Sequence, residues 1–168
     1  IHGLGTSVIA WYKNIDYLSS KYTVIAVDLP SHGDSGEFDM NYSLEAGLWF
    51  MTGFIDALEL ENVTVVGNSM GGLLAIVLAN SLVRKVKSLV LVDSAGLGQE
   101  LSLYLRAASL PILGEIIEST SKKRASLLLK KIFFNPSIIE DSLLQELARV
   151  RAIPGRKKAY LKIIRWGV

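Results

Sequence analysis

Three short stretches of the chain are apolar without a break. They are Thr23 to Asp28 (TVIAVD), Asn62 to Gly67 (NVTVVG) and Ser88 to Asp93 (SLVLVD). Each is rich in β-branched residues and ends at a small or acidic residue and a turn. Strict alternation would mark a strand with one wet face. Continuous apolarity instead marks strands covered on both faces, as in a parallel sheet. Between these stretches the apolar period lengthens. Ser43 can cap a helix running to about Leu60, with Glu45 in its first turn near the positive end of the helix dipole. Gly71 to about Val83 reads as a second helix. Strands alternating with helices predict parallel βαβ crossovers and an α/β fold. Ile1-His2-Gly3 reads as the end of a further strand and the loop after it.

The pattern changes after Gly96-Leu97-Gly98, where β-branched stretches give way to helical spacing. Leu101, Leu105 and Ala108 recur at that spacing, and so do Ile139, Leu143, Leu147 and Val150. Asn135-Pro136 supplies a cap and a first-turn proline for the latter helix, while Pro111 and Pro154-Gly155 interrupt the segment. The expected division is a partial α/β core over residues 1–97 and several short helices over 98–168. There is no internal repeat and no low-complexity tract.

Composition narrows the class. Half of the 168 residues are hydrophobic and mean hydropathy is +0.35, so the chain can bury a core. No apolar run reaches the roughly 18–20 residues needed to span a bilayer. Cysteine is absent, which excludes a disulfide framework, thiolate zinc sites and a cysteine nucleophile. With two histidines, a His-rich metal site is not expected, nor is a cofactor. Without cysteine or a signal-like segment, the cytoplasm is the default location. Net charge is +2, too slight to suggest nucleic acid as a partner. That balance hides an asymmetry: residues 1–120 carry 6 basic and 13 acidic side chains, residues 121–168 carry 12 and 3. Such a basic end is ordinarily a solvated helical face. Peripheral contact with an anionic membrane surface is the sharper alternative.

The chemistry is concentrated at Val65-Val66-Gly67-Asn68-Ser69-Met70-Gly71-Gly72, which contains G-x-S-x-G. At this composition about 0.1 such matches arise by chance, so context must decide. An apolar strand runs straight in and an apolar helix runs straight out, the strand–turn–helix setting of a nucleophile elbow. Gly67 and Gly71 give the turn room, Ser69 Oγ is presented above the sheet, and the Met70 N–H can stabilise an oxyanion. His2-Gly3-Leu4-Gly5 lies 66 residues before the serine, the length of two βαβ steps. Its loop would then meet the elbow at the carboxyl ends of neighbouring strands, where open α/β sheets bind ligands. There the Leu4 N–H is the candidate second oxyanion donor, with His2 and Gly3 holding the loop. A Gly-rich turn with a capping serine is the bland alternative.

Taken together, HGLG at 2–5, DLPSHGDSG at 28–36, GNSMGG at 67–72 and LVLVDSAGLG at 89–98 resemble the α/β-hydrolase superfamily in order and spacing. The resemblance implies a sheet core with a helical cap after the strand ending at Asp93. It implies hydrolysis of esters, lactones or C–C bonds at a serine, with no cofactor. Asn68 before the serine is similar to the meta-cleavage C–C hydrolases; DLPSHGDSG is more like the esterases. Members order their triad Ser, Asp or Glu, then His. Here both histidines, His2 and His32, precede Ser69. His32 falls in a loop motif without a base role, and Asp93 is a structural carboxylate or, in the minor alternative, the acid. Asp28 reads as loop support. The chain is therefore expected to be an internal fragment of a longer member, weak or inactive alone, its triad acid and histidine lying elsewhere.

The expected function is hydrolysis of a small hydrophobic ester-like substrate, with Leu101, Leu105, Ile112, Phe133 and Phe134 as candidate pocket residues. The alternatives are a C–C bond hydrolase and a non-catalytic binding or accessory protein. A nucleotide-binding domain is disfavoured, because neither G-x-G-x-x-G nor a P-loop is present.

Overall fold

A computed structural model describes residues 1–38, 41–98, 103–117 and 135–166. The chain divides into two compact units, Ile1–Glu100 and Leu101–Val168.

In the first unit, α1 (Tyr12–Ser19) follows a 3-10 turn at Val8–Trp11. Helix α2 (Leu44–Ala57) precedes strand β1 (Val63–Asn68), α3 (Met70–Ser81) and strand β2 (Val86–Val92). Ser43 caps α2 through its side chain, which accepts the Ala46 N–H at 3.3 Å, and Glu45 sits in the first turn. The β1–α3–β2 unit is parallel: Val66 pairs with Val90, Gly67 with Leu91 and Asn68 with Val92. Ile1 lies along the other side of β1 in the parallel pattern. Its amine donates to Val66 O at 2.5 Å and its carbonyl accepts the Asn68 N–H at 3.0 Å.

Two strand expectations need correction. Thr23 to Asp28 is not a strand among the described residues. A β-branched stretch becomes a strand only where a neighbour completes its ladder, and the one described sheet contains β1 and β2 alone. Nor is β2 covered on both faces. Leu89 and Leu91 pack inward, whereas Val90 and Val92 stay exposed among the described residues.

The core of this unit joins Met51 and Ile55 of α2, Val65 of β1, Leu74, Ala75 and Leu78 of α3, and Leu29. Spacing explains the choice: Met51 and Ile55 share one face of α2, and Leu74 and Leu78 share one face of α3.

In the second unit the described helices are α4 (Leu103–Ser109), α5 (Pro111–Ile117), α6 (Asp141–Ala152) and α7 (Arg156–Trp166). Pro111 opens α5, where its missing N–H costs nothing. Asn135-Pro136 does not begin α6 as expected. Asn135 caps a separate 3-10 turn at Pro136–Ile138, and Ile139 is extended before α6 starts at Asp141. Leu143, Leu147 and Val150 pack inward from α6, as do Ala159, Tyr160, Leu161 and Ile164 from α7. Leu101, Phe133, Phe134 and the basic cluster at Lys122, Lys123, Arg124, Lys130 and Lys131 lie outside the described residues. No described helix is long and apolar enough to cross a membrane.

Candidate active site

The turn between β1 and α3 is built from backbone. Ser69 is the residue between them and adopts φ 52°, ψ −120°. That region is sparsely populated for any residue with a Cβ and carries about 1–3 kcal/mol of strain. Four backbone hydrogen bonds hold it there. The Ser69 N–H donates to Val92 O at 3.1 Å; Ser69 O accepts from Gly72 N at 2.9 Å, Leu73 N at 3.3 Å and Ala95 N at 3.0 Å. The Asn68 side chain adds a fifth tie, its Nδ2 donating to the same Val92 carbonyl at 3.0 Å. Asn68, expected from the sequence as support for this turn, therefore fastens it to the end of β2.

The flanking glycines are required by close approach. A Cβ on Gly67 would strike the carbonyl oxygen of Gly71 and come within 2.7 Å of Gly72 Cα. One on Gly71 would strike His2 O and lie 2.5 Å from Ile1 O. The start of α3 is thus pressed onto the first residues of the chain.

This contact brings the two sequence-predicted motifs together. A Cβ on Gly3 would lie 3.0 Å from Asn68 Oδ1 and 3.3 Å from Ser69 Cβ, so the His2–Gly5 loop rests on the elbow. Leu4 and Ser69 are both half-buried. Among the described residues, neither the Leu4 nor the Met70 backbone N–H is assigned a hydrogen-bond partner. Met70 is the first residue of α3, where an N–H has no intrahelical acceptor.

His2 is fully buried and both ring nitrogens are engaged. Nε2 accepts the Leu29 N–H at 3.0 Å, which places the ring proton on Nδ1, facing Gly3 O at 2.8 Å. Burial pushes this imidazole down to about 4, against the smaller raising effects of the Gly3 carbonyl and Asp28. Its lone pair is already used, so it cannot take a proton from Ser69. His32 is also buried, with Nδ1 at 3.0 Å from Pro30 O and its ring 4.9 Å from that of His2. Asp93 follows β2 at φ 46° and is exposed. It stands in sequence between Val92, whose carbonyl accepts the Ser69 N–H, and Ala95, whose N–H donates back to Ser69 O. Among the described residues no cluster of three or more metal-ligating side chains occurs.

A strained serine thus stands between a parallel strand and a helix, with a glycine loop laid against it. The family model for the alpha/beta hydrolase fold matches residues 1–127, and the chain belongs to that family. It is 30% identical over 159 residues to the dihydrolipoyllysine-residue acetyltransferase component of an acetoin cleaving system from Cupriavidus necator, spanning 95% of this chain and 41% of that protein. It is 28% identical over 169 residues to a 2-hydroxy-6-oxo-2,4-heptadienoate hydrolase from Pseudomonas putida, covering 95% of this chain and 57% of the relative. A solved meta-cleavage product hydrolase from Pseudomonas fluorescens superposes with TM-score 0.81 at 28% identity, over 99% of this chain and 62% of that one. The chain thus spans less than two thirds of each relative's length.

Proposed function

We propose that Ser69 is the nucleophile of a serine hydrolase acting on a carboxylic ester or related acyl or carbonyl substrate. The observation that carries this is the backbone of Ser69, held at φ 52° by four hydrogen bonds with the Gly3 loop against its Cβ. Strain of that kind persists where the surroundings over-determine it, and it clusters at active sites. Ser69 Oγ attacks the carbonyl carbon and forms a new C–O bond. The carbonyl π pair moves onto oxygen, where the N–H groups of Met70 and Leu4 stabilise it. Collapse of the tetrahedral species expels the leaving group and leaves an acyl serine for water to hydrolyse.

The serine proton needs a base, and the His2 lone pair is already committed to Leu29. We place the base, and the acid that orients it, outside these 168 residues; Asp93 is the minor alternative for the acid. The substrate is a small hydrophobic ester.

A C–C bond hydrolase is the second reading. It is favoured by the two 28%-identical relatives, whose names specify a dienoate hydrolase and a meta-cleavage product hydrolase. Both readings share the elbow and differ in the leaving group, oxygen or carbon. Turnover of p-nitrophenyl butyrate against a 2-hydroxy-6-oxo-dienoate by the full-length protein separates them.

The decisive test of the nucleophile is fluorophosphonate labelling of the full-length protein. A covalent adduct on Ser69, absent in Ser69→Ala, is expected. With a complete triad in place, that variant should lose roughly 10⁶-fold in kcat. No adduct, or one that survives the substitution, would leave a non-catalytic binding role in its place.

A further inference from the structure

The loop from His2 to Val8 carries the Leu4 N–H, and two consecutive residues from a distant part of the chain grip both its ends. At the near end, the Leu29 N–H donates to His2 Nε2 at 3.0 Å. At the far end, the Val8 N–H donates to Asp28 Oδ1 at 2.7 Å. Between these points Gly5 turns the chain at φ 70° and Gly3 lies on the elbow. An N–H bonded to a carboxylate is short and about twice as strong as one bonded to a neutral acceptor.

Asp28 is itself held from the other side. Its Oδ2 accepts the Asp34 N–H at 2.9 Å and its carbonyl accepts the Ser35 hydroxyl at 2.7 Å. Gly33, at φ 48°, is pressed so close that a Cβ there would overlap the carboxylate. The loop over residues 28–36 is therefore wound around one carboxylate, whose second oxygen reaches out to the oxyanion loop.

Resting on Ser69 as nucleophile, we infer that Asp28 is a positioning residue for the oxyanion hole. By taking the Val8 N–H it fixes the far end of the loop that presents the Leu4 N–H, as Leu29 fixes the near end. An oxyanion donor acts only if it is in place before charge develops on the carbonyl oxygen. Misplacement by about 1 Å can cost 100-fold in rate. Asp28 touches no reacting atom; it acts through Val8 and the loop.

The test uses the full-length protein. Val8→Pro deletes the N–H and leaves the carboxylate intact. Val8 is the first residue of a 3-10 turn, where proline fits, and Ser7 before it is extended at φ −154°, ψ −170°, as a residue preceding proline must be. Asp28→Asn attacks the same bond from the other side, because its NH₂ must face either the Val8 or the Asp34 N–H. Both variants should lower kcat and the rate of Ser69 phosphonylation by roughly 10- to 100-fold with KM unchanged. A purely structural carboxylate would shift the melting midpoint and leave kcat per folded molecule at its wild-type value; that result in folded Val8→Pro overturns the inference. If Asp28→Asn does not fold, Val8→Pro decides. A wild-type protein that takes no label on Ser69 sinks the nucleophile and the Asp28 role with it. A labelled wild type with Val8→Pro labelled equally fast sinks the Asp28 role alone.

Discussion

The two units are ordered by different physics. In Ile1–Glu100 the decisive contacts are between backbone groups, or between backbone and buried or half-buried polar side chains: Ser69 N–H to Val92 O, Leu29 N–H to His2, Val8 N–H to Asp28. Four of the five buried polar residues among those described, His2, Ser7, Ser31 and His32, belong to this unit. In Leu101–Val168 the interior is largely apolar fill from α6 and α7, with Arg156 the buried polar residue of this unit among those described, and the contacts of Lys157 and Arg165 sit on the outside. Lys157 Nζ donates to Glu115 O at 2.6 Å, and Arg165 reaches Ser109 O and Pro111 O. Hydrogen bonds fix direction, so the first unit can aim individual N–H groups. Apolar packing fixes volume, and it tolerates swaps that keep volume. The oxyanion hole proposed above, which must aim two N–H groups at one oxygen, would be served by the first kind of order.

The sharpest way to break this contrast is to add one methyl group. Gly71→Ala in the first unit drives a Cβ into the backbone carbonyls of His2 and Ile1, which cannot rotate away. Overpacking against mobile side chains costs about 1–3 kcal/mol. Against backbone the loss should exceed about 3 kcal/mol, read as a lower denaturation midpoint, and Ser69 labelling should vanish in the molecules that remain folded. Removing volume from the second unit should cost a comparable amount without touching the site. Leu161→Ala empties a buried position on α7 and should lose about 2–5 kcal/mol, while Leu161→Met should lose less than about 1.5. If Gly71→Ala proves milder than Leu161→Met, the distinction between the units fails.

What could be read in the sequence follows the same division. The strand–turn–helix around Ser69 was legible because such a turn needs particular residue types in a fixed order: small at 67 and 71, serine at 69, an apolar strand before and an apolar helix after. Helices α2 and α3 were legible from period and cap. The Thr23–Asp28 stretch misled, because β-branched composition reports a propensity and a strand needs a neighbour. The start of α6 misled because Asn-Pro caps a 3-10 turn as well as it caps an α-helix. Leu29 shows a different limit, as do the partners of Asn68 and Asp28, which were expected only as elbow and loop support. Their roles are hydrogen bonds to residues between 20 and 27 positions away, with no local signature. The remaining trace was residue type alone: an Asp closing an apolar stretch, and an Asn before the serine.

The smallest effect separates the units by pH. His2 is protonated in the unfolded chain below its ordinary value of 6.5, whereas burial holds it neutral in the folded chain down to about 4. Between these values the unfolded state binds the extra proton, so stability falls as pH drops from 6.5 to 4 and the loss levels off below 4. With 1.36 kcal/mol per pH unit, the loss reaches about 2 kcal/mol by pH 5. The titratable side chains facing the ring are Asp28 and His32, and Asp28 opposes the shift. Once protonated, Nε2 cannot accept the Leu29 N–H, and the near end of the His2–Val8 loop is released. Hydrogen exchange between pH 6.5 and 4 should therefore show Leu29 and its neighbours losing protection while the α6 and α7 amides keep theirs. His2→Asn should flatten that part of the pH–stability curve by one proton. An unchanged slope in His2→Asn, or equal loss of protection in both units, would mean that the polar order of the first unit does not hang on this ring.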